Sequence, residues 1–227
     1  MARRHAIFAE ENNLRIPDDA FAFEGFQRWV DSGDFPETGR IDYLGGDIEV
    51  GMSPEDLQTH GLPKGAIYAT LHSLVTGKLG DVYTDRARVT NRFAGLSAEP
   101  DVVVVFWDSL KAGRVRYVPA ASGEPERSSA IDGSPDLVVE VVSDSSERKD
   151  YQRLPLQYAK AGIPEMWITD ARKAEVRFEI HTLNAGQYVR IEADEDGWVV
   201  SPLFGFAFRL IRQRTPTSPW FYVLEHK

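Results

Sequence analysis

The sequence predicts a single α/β domain. Residues 101–107 and 137–143 are almost continuous apolar runs, with the length and composition of strands that are buried on both faces. Residues 21–30 and 64–79 instead carry apolar side chains at helical spacing, which favours amphipathic helices. No internal repeat, low-complexity tract or linker divides the 227 residues. Alternating strands and helices without a break are typical of one α/β domain.

A helix and a hairpin are predicted at the start of this domain. In residues 21–30 (FAFEGFQRWV), aromatic residues recur on one helical face. Residues 40–52 (RIDYLGGDIEVGM) place two short strand-like runs around a Gly-Gly pair, which is typical of a hairpin turn. The polar residues 1–20 are expected to be a flexible segment, and residues 21–227 a single domain.

A second helix and a strand are predicted next. Gly61 and Pro63 indicate that the helical pattern of residues 64–79 begins near Lys64. Residues 82–94 alternate in places between apolar and polar side chains, so this segment is predicted to be a strand that carries arginines.

The second half of the chain predicts one more helix among several strands. Pro155 would remove a helical hydrogen bond from a helix interior, so the helix after the second apolar run is predicted to begin near Arg153. Gly162 and Pro164 form a typical helix end. The remaining predicted elements are an exposed loop at 119–135, strands at 165–170 and 175–181, and two short strands with an apolar tail within 188–210.

Composition narrows the classes of function. The formal net charge of −9 argues against a broad basic surface for nucleic acid, although it allows a local one. Without cysteine the chain has no disulfides or thiolate metal sites, which leaves oxygen and imidazole as metal ligands. No run approaches the roughly 18 apolar residues of a membrane span, and the N-terminal residues lack the pattern of a secretory signal. We therefore expect a cytoplasmic protein without a membrane partner.

Glu140 is the residue that most needs an explanation. It lies inside a run of valines and leucine, where a carboxylate is costly to bury unless it is paired or binds a cation. Asp101 opens the other apolar run, so two strands each bring one carboxylate. Mg²⁺ favours one or two carboxylates together with water and phosphate oxygens, and the pair therefore predicts a metal site. Asp136, which follows a proline, is interpreted as a turn residue that hydrogen-bonds the backbone.

Two groups of basic residues are candidates for local phosphate contacts. The first group lies in the predicted strand 82–94, and the second follows the strand of Glu140. They consist of Arg86, Arg88 and Arg92, and of Arg148, Lys149 and Arg153, respectively. The alternative for either group is a solvated face. No P-loop, dinucleotide-binding glycine motif or Gly-x-Ser-x-Gly elbow occurs, which argues against the common nucleotide-binding proteins and serine hydrolases.

Several motifs together resemble the Uma-two family of the restriction-endonuclease-like PD-(D/E)xK superfamily. They are PDVVVV (100–105), PDLVVEVVS (135–143), YAKAGIPEMWITD (158–170), and the upstream IDYLGGDIEVGMSP (41–54) followed by His60. The resemblance covers roughly residues 20–210 and implies a restriction-endonuclease-like mixed β-sheet core flanked by helices, with an N-terminal helix and a β-hairpin. It also implies a metal site at one edge of the sheet.

The resemblance implies roles for individual residues. Asp101 and Glu140 would be the ligands of Mg²⁺, with Mn²⁺ as an alternative, and the backbone carbonyl of Val141 would complete the coordination. The acid of the N-terminal segment matches Asp42 or, less closely, Asp47. His60 matches the helix-entry histidine of the family and would contact phosphate or substrate, where the alternative is a structural hydrogen-bond partner. Arg86 and Arg88, from the first basic group, are the other predicted substrate contacts.

The lysine of the superfamily has no counterpart at its usual places. Two residues after the strand acid stands Val142, and the position in the following helix from which the family commonly supplies the lysine is Leu154. Lys149 and Arg153 are the nearest candidates to replace it. An arginine keeps its charge at working pH, so it can stabilise a phosphate but cannot act as a base.

The leading functional prediction is a Mg²⁺-dependent endonuclease that hydrolyses DNA, with RNA as an open alternative. The missing lysine and the net charge of −9 favour a second hypothesis, a catalytically impaired nuclease-like module that binds nucleic acid or protein. A third is an interaction protein whose sheet edge forms a homodimer, a state that would also suit an enzyme that cuts both strands.

Overall fold

The computed structural model describes residues 7–9, 14–217 and 219–227, which form a mixed α/β fold. Its helices are α1 (Phe23–Val30), α2 (Leu62–Val75), α3 (Trp107–Lys111) and α4 (Leu154–Lys160). A 3-10 turn (Asp18–Phe21) precedes α1, and π-helical turns (Leu57–Gly61 and Lys149–Arg153) precede α2 and α4. Among the described helices, none has both the length and the apolar character needed to cross a bilayer.

The strands are short and distributed along the whole chain. In the first half they are β1 (Ile7–Ala9), β2 (Leu14–Ile16), β3 (Arg40–Leu44), β4 (Asp47–Gly51), β5 (Gly80–Thr84), β6 (Val89–Asn91), β7 (Leu96–Ala98) and β8 (Val102–Phe106). In the second half they are β9 (Val115–Pro119), β10 (Ser128–Gly133), β11 (Leu137–Val141), β12 (Glu165–Asp170), β13 (Arg177–Asn184), β14 (Gln187–Arg190), β15 (Val199–Ser201), β16 (Phe206–Gln213) and β17 (Phe221–His226).

The central sheet contains both predicted apolar strands side by side. Its strand order is β14-β13-β12-β11-β8-β5, in which β11 and β12 are parallel and the other neighbours antiparallel. Side chains alternate between the two faces of a strand. Val138 and Val142 therefore pack on one face, and Leu137 and Val139 on the other. Glu140 shares the face of Val138 and Val142, on which α4 also packs.

Both faces of the central sheet are covered. On one face, Ile67 of α2 and Phe208 of the sheet β15-β16-β17 join a buried apolar cluster. On the other, Tyr158 of α4 and Leu96 join a second cluster, contributed partly by a six-stranded sheet of order β4-β3-β7-β6-β10-β9. The candidate acid Glu140 therefore faces the layer that contains the β3–β4 hairpin.

The N-terminal segment is part of the fold. β1 pairs antiparallel with β2, and the buried Leu14 and Ile16 pack in one cluster with Phe26 of α1 and Ile41 of β3. Apolar side chains of residues 14–20 therefore pack against the domain, and the expectation of a flexible segment stays a prediction. Residues 1–6 and 10–13, to which the same expectation applied, lie outside the described residues.

Most predicted elements are confirmed with shifts of a few residues at their ends. The helix predicted at 21–30 is α1, the hairpin predicted at 40–52 is β3–β4, and the apolar runs are β8 and β11. The helix predicted to begin near Arg153 is α4, which Gly162 follows with φ of 74°, a left-handed conformation that suits glycine.

Two predictions of local structure are wrong, and a third is confirmed with strands in different sheets. Residues 82–94 form two strands in different sheets, because Asp85 and Arg86 turn the chain with φ of 44° and 61°. The predicted loop 119–135 contains β10, which pairs with β9 and β6. Within 188–210, the two predicted short strands are β14 and β15, which belong to different sheets, and the predicted apolar tail is the start of β16.

Candidate active site

Asp101 is buried where β8 begins, and its carboxylate is held from three sides. Oδ1 accepts a hydrogen bond from Arg40 Nη2 at 2.8 Å, and Oδ2 accepts one from the amide of Val141 at 2.7 Å. His60 Nε2 lies 3.4 Å from Oδ2. Burial would raise the pKa of Asp101, but Arg40 and His60 outweigh it and hold this pKa below its usual range. Asp101 is therefore a carboxylate anion fixed beside β11.

Glu140 lies on β11, buried beside Asp101. Its Oε1 accepts a hydrogen bond from the Tyr158 hydroxyl at 2.6 Å, whereas its Oε2 has no partner among the described residues. Burial, and then the carboxylates of Asp101 and Asp150, raise the pKa of Glu140 well above its usual value. A buried polar atom without a partner destabilises the fold, so this oxygen needs a cation or another donor.

These two acids fit a hard divalent cation. Adjacent strands bring two carboxylates together, and Glu140 Oε2 is an oxygen donor without a protein partner. Oxygen donors of this kind suit Mg²⁺ and Mn²⁺. The described contact of Val141 is its amide, which orients Asp101, so the part of its carbonyl as a ligand stays a prediction.

Asp150 adds another buried carboxylate near Glu140. Its Oδ2 accepts a hydrogen bond from the Ser146 hydroxyl, while Oδ1 has no partner among the described residues. Burial is the main cause that raises the pKa of Asp150 to about 6. The site therefore contains a further buried carboxylate in addition to the predicted pair, Asp101 and Glu140.

Arg40, at the start of β3, is the residue of this site that sequence reasoning missed. Besides Asp101, its guanidinium faces Glu55 at 3.8 Å. Burial opposes its charge, yet its pKa is raised further by three carboxylates, those of Asp101, Glu140 and Asp42. Because arginine stays protonated, the site contains a permanent cation between its acids. Its only signal in the sequence is a basic residue at the start of the hairpin.

Lys149 reaches the site from the π-helical turn before α4. Its Nζ donates to Asp42 Oδ2 at 2.9 Å, while Asp42 Oδ1 accepts from the amide of Glu99 at 3.1 Å. Burial opposes the charge of Lys149, but Asp42 and Glu140 raise its pKa above the usual value. Asp42 and Asp47 are the two hairpin residues that match the acid of the family's N-terminal segment, and Asp42 is the one that contacts Lys149.

Arg153 and Leu154 point elsewhere. Arg153 pairs with Asp47 at 2.7 Å and with Glu49, both on β4. Leu154 is buried in the apolar cluster on the α4 face of the central sheet. Of the two basic candidates, Lys149 therefore contacts Asp42 inside the site, whereas Arg153 contacts β4.

His60 lies between two carboxylates. Its Nδ1 is 3.1 Å from Glu55 Oε2, and its Nε2 is 3.4 Å from Asp101 Oδ2. Ligand atoms of these three residues lie within 4.8 Å of one another, so they form a second candidate metal group that shares Asp101. The two ring nitrogens, however, face different carboxylates, and Nδ1 makes no hydrogen bond with the described residues. Carboxylates suit Mg²⁺ better than imidazole does, which favours the pair Asp101 and Glu140; these ligands stay a prediction.

A polar cavity of about 380 Å³ gives access to the site. The predicted site residues in its wall are Asp42, His60, Arg86 and Lys149, and Arg40 joins them. Asp101 and Glu140 lie behind these side chains, almost without solvent exposure. Arg86 is in the wall because the left-handed turn after β5 carries it there.

Arg88 is held inside the protein and does not line this cavity. Its guanidinium donates to Glu99 Oε1 at 2.6 Å, to the Ser97 hydroxyl at 3.1 Å and to the carbonyl of Ile41 at 3.2 Å. Only 4% of Arg88 is exposed. Its hydrogen bonds connect β3 with the segment around β7, so the predicted substrate contact is replaced by a structural role.

Arg88→Met is expected to lower the free energy of unfolding by about 3–5 kcal/mol, because Glu99 loses a buried partner. Arg92→Met is the matched control, since Arg92 pairs with Glu24 on the surface and should change stability by less than about 1 kcal/mol. Urea unfolding followed by fluorescence measures both. Equal stability of the two variants would contradict the structural role of Arg88.

The other residues singled out have structural contacts. Asp136 accepts hydrogen bonds from the Phe106 amide at 2.7 Å and the Ser109 hydroxyl at 2.8 Å, and it pairs with Arg114. Tyr158 is a buried core residue whose hydroxyl also contacts Glu140. The sequence did not indicate this second role, because only the packing of α4 on β11 creates it.

Comparisons with known proteins agree with this architecture. A family model named Uma2, described as "Putative restriction endonuclease", matches residues 23–211. Among solved structures, the chain is similar to "a putative nuclease belonging to DUF820" from Anabaena variabilis ATCC 29413. The identity is 19% and the TM-score 0.59, and the match covers 81% of this chain and 90% of that one. A comparison with curated proteins finds no match. The structural likeness confirms the predicted restriction-endonuclease-like fold.

Proposed function

Because the chain belongs to the Uma2 family of restriction-endonuclease-like proteins, we propose that it is a Mg²⁺-dependent endonuclease that hydrolyses DNA phosphodiester bonds. The observation that carries this proposal is the buried pair Asp101 and Glu140, with the unpartnered Oε2 of Glu140, behind a cavity that contains Lys149. Such a group of acids and cations suits hydrolysis of a negatively charged phosphodiester.

Each residue has a role in this proposal. Asp101 and Glu140 hold Mg²⁺ or Mn²⁺, with the carbonyl of Val141 as a further ligand. When bound, the ion lowers the pKa of coordinated water and offsets charge on the phosphate. Asp42 holds Lys149 in place, and Lys149 stabilises the phosphate or orients the attacking water. The role of Asp42 is thus to position the lysine.

The cavity wall supplies the contacts to substrate. Arg86 binds a phosphate of the strand from the turn after β5, and it keeps its charge at any working pH. His60 orients Asp101 through Nε2, while Nδ1 lies 3.1 Å from Glu55 Oε2 without a hydrogen bond. We therefore propose that His60 positions Asp101 in addition to lining the substrate cavity.

The proposal is tested by incubating supercoiled DNA, single-stranded DNA and RNA with the protein in Mg²⁺, Mn²⁺ or EDTA. We expect cleavage of DNA in the presence of either ion and none in EDTA, because the two carboxylates need a cation to act on phosphate. RNA serves as the comparison substrate, because it is the open alternative to DNA. A folded protein that cleaves none of the three in either ion would contradict the proposal.

Lys149→Ala is expected to lower kcat by about 10²–10³-fold, the usual effect of removing one charged stabiliser of a transition state. Arg153→Ala is the matched control: it removes a cation four residues away that pairs with the hairpin, so kcat should change by less than about threefold. Single-turnover cleavage by both variants, with melting temperatures to confirm folding, measures the difference. A larger loss in Arg153→Ala would assign the role to the arginine.

Two observations favour a second candidate function, a catalytically impaired module that binds nucleic acid. Leu154 occupies the position of the expected lysine inside the core, and Arg40 already bonds to Asp101. Salt-sensitive DNA binding without cleavage in Mg²⁺ or Mn²⁺ would support this candidate. The cytoplasmic location and the homodimer stay predictions from the sequence.

A further inference from the structure

A row of adjoining cavities leads away from the active-site cavity. This cavity shares His60, Ser143 and Ser145 with a second cavity of about 440 Å³. The second cavity shares Thr59 and Arg172 with a third one, of about 590 Å³. Consecutive cavities have wall residues in common, so the three adjoin one another, and we call them together the groove. It ends at the turn between β12 and β13.

The far section of the groove is positively charged. Its wall contains Arg172, Lys173, Arg212, Arg214 and Trp220, and the described residues place no carboxylate in it. We call these five residues the basic end of the groove. Arg172 is paired with Asp144, Glu147 and Asp170. In a chain with a net charge of −9, the local positive potential that attracts anions therefore comes from Lys173, Arg212 and Arg214.

Trp220 orders two of these cations. The guanidinium carbons of Arg212 and Arg214 lie 4.1 Å and 4.7 Å from the centre of its ring, in cation–π contacts. Arg212 also donates to the carbonyls of Ala171 and Lys173, at 2.8 Å and 2.7 Å. These hydrogen bonds fix its side chain against the turn between β12 and β13. Arg214 and Lys173 are exposed. In the basic end, Trp220 and Arg212 are therefore fixed by their contacts, while Arg214 and Lys173 offer two accessible positive charges.

Two carboxylates line the middle of the groove, and both are engaged. Asp56 accepts hydrogen bonds from the amide of Thr59 at 2.7 Å and from other donors of the same turn. Asp144 pairs with Arg172 at 3.3 Å. Their repulsion of an anionic ligand is thus partly offset by their own partners.

We propose that the basic end binds phosphate groups of a nucleic-acid strand whose scissile bond lies in the active-site cavity. This inference rests on the proposed nuclease function. It adds the path of the nucleic-acid strand that flanks the scissile bond. A nucleic-acid backbone carries a charge at every nucleotide, and phosphate contacts position it without reading its sequence. Exposed Arg214 and Lys173 contact phosphates, while Trp220, covered by guanidinium groups, keeps Arg214 in place.

The test is binding of fluorescein-labelled single-stranded and duplex DNA in EDTA, followed by anisotropy over a range of salt concentrations. The variant is Lys173→Glu with Arg214→Glu. Its matched control is Lys111→Glu with Arg127→Glu, which makes the same charge change at a lysine and an arginine that are 74% and 64% exposed elsewhere. Melting temperatures of both double variants verify that they fold.

We expect the groove variant to bind at least tenfold more weakly than the wild type and the control to change by less than threefold. The slope of log affinity against log salt should also become shallower by about 1.4–1.8, corresponding to two lost phosphate contacts. Equal affinities of the two variants, or no DNA binding by the wild type, would overturn the inference.

The two proposals fail in different ways. If the wild type binds DNA through the basic end but cleaves nothing in Mg²⁺ or Mn²⁺, the nuclease function is wrong, and the strand path is supported as a binding surface. If the wild type cleaves and the groove variant binds and cleaves like its control, the strand path is wrong and the nuclease function is supported.

Discussion

Glu140→Gln is expected to abolish metal-dependent cleavage, by about a thousandfold or more, without lowering the stability of the metal-free protein. The amide removes a charged ligand, and losing several kcal/mol of transition-state stabilisation by a metal corresponds to that factor. In the metal-free protein, however, Glu140 is a buried acid next to Asp101, with one oxygen unpartnered and its pKa raised by burial. Replacing it with a neutral group of the same shape should leave the free energy of unfolding equal or higher.

Glu165→Gln is the matched control, because Glu165 is an equally buried glutamate on the neighbouring strand. Its carboxylate accepts hydrogen bonds from Trp167 at 2.7 Å, Ser201 at 2.6 Å and the amide of Leu203 at 3.2 Å. We expect this variant to lose about 1–3 kcal/mol of stability and to keep its cleavage rate per folded molecule. Urea unfolding and single-turnover cleavage measure both properties. A destabilised Glu140→Gln that still cleaves would show that Glu140 is structural.

Arg40→Met is expected to raise the affinity for Mn²⁺ by about tenfold or more, which corresponds to about 1.4 kcal/mol. Arg40 donates to Asp101 Oδ1 at 2.8 Å and cannot lose its proton. An ion bound by Asp101 must therefore compete with this hydrogen bond, and the positive charge of the Arg40 guanidinium repels it. Without Arg40 the acids repel one another, so the metal-free variant should also be less stable by about 3–5 kcal/mol.

Calorimetric titration with Mn²⁺ and melting curves with and without the ion measure this effect independently of cleavage. Arg86→Met is the control, because Arg86 lines the same cavity but lies on the turn after β5. We expect Mn²⁺ to raise the melting temperature of Arg40→Met more than that of the wild type or of Arg86→Met. If all three respond alike, Arg40 does not compete with the metal.

The acids of the site were predictable because their signal is local. A charged residue inside a valine run is costly to bury, and the two-residue period of a strand predicts that Glu140 faces the same side as Val138. Asp101 has the same kind of signal, since it opens the other apolar strand. Each argument needs only neighbours in the sequence, and both strands are confirmed.

Other residues of the site could not be placed by local patterns. The hydrogen bond of Arg40 to Asp101 joins residues 61 positions apart, and that of Lys149 to Asp42 joins residues 107 positions apart. Arg88 was predicted to be an exposed substrate contact, because it lies in a polar segment of the sequence. In the structure β3 and the residues near β7 enclose it. Which distant segments meet depends on the order of strands in the sheets.

The sequence by itself determined the α/β class, the two buried strands and the carboxylate that each of them carries, because hydrophobic periodicity and the cost of burying charge act within a few residues. Only the tertiary structure decided that Lys149 pairs with Asp42 while Arg153 pairs with Asp47, and that Arg40 bonds to Asp101. The physical reason is that these contacts arise where the β3–β4 hairpin packs over the central sheet, and no local pattern encodes that packing.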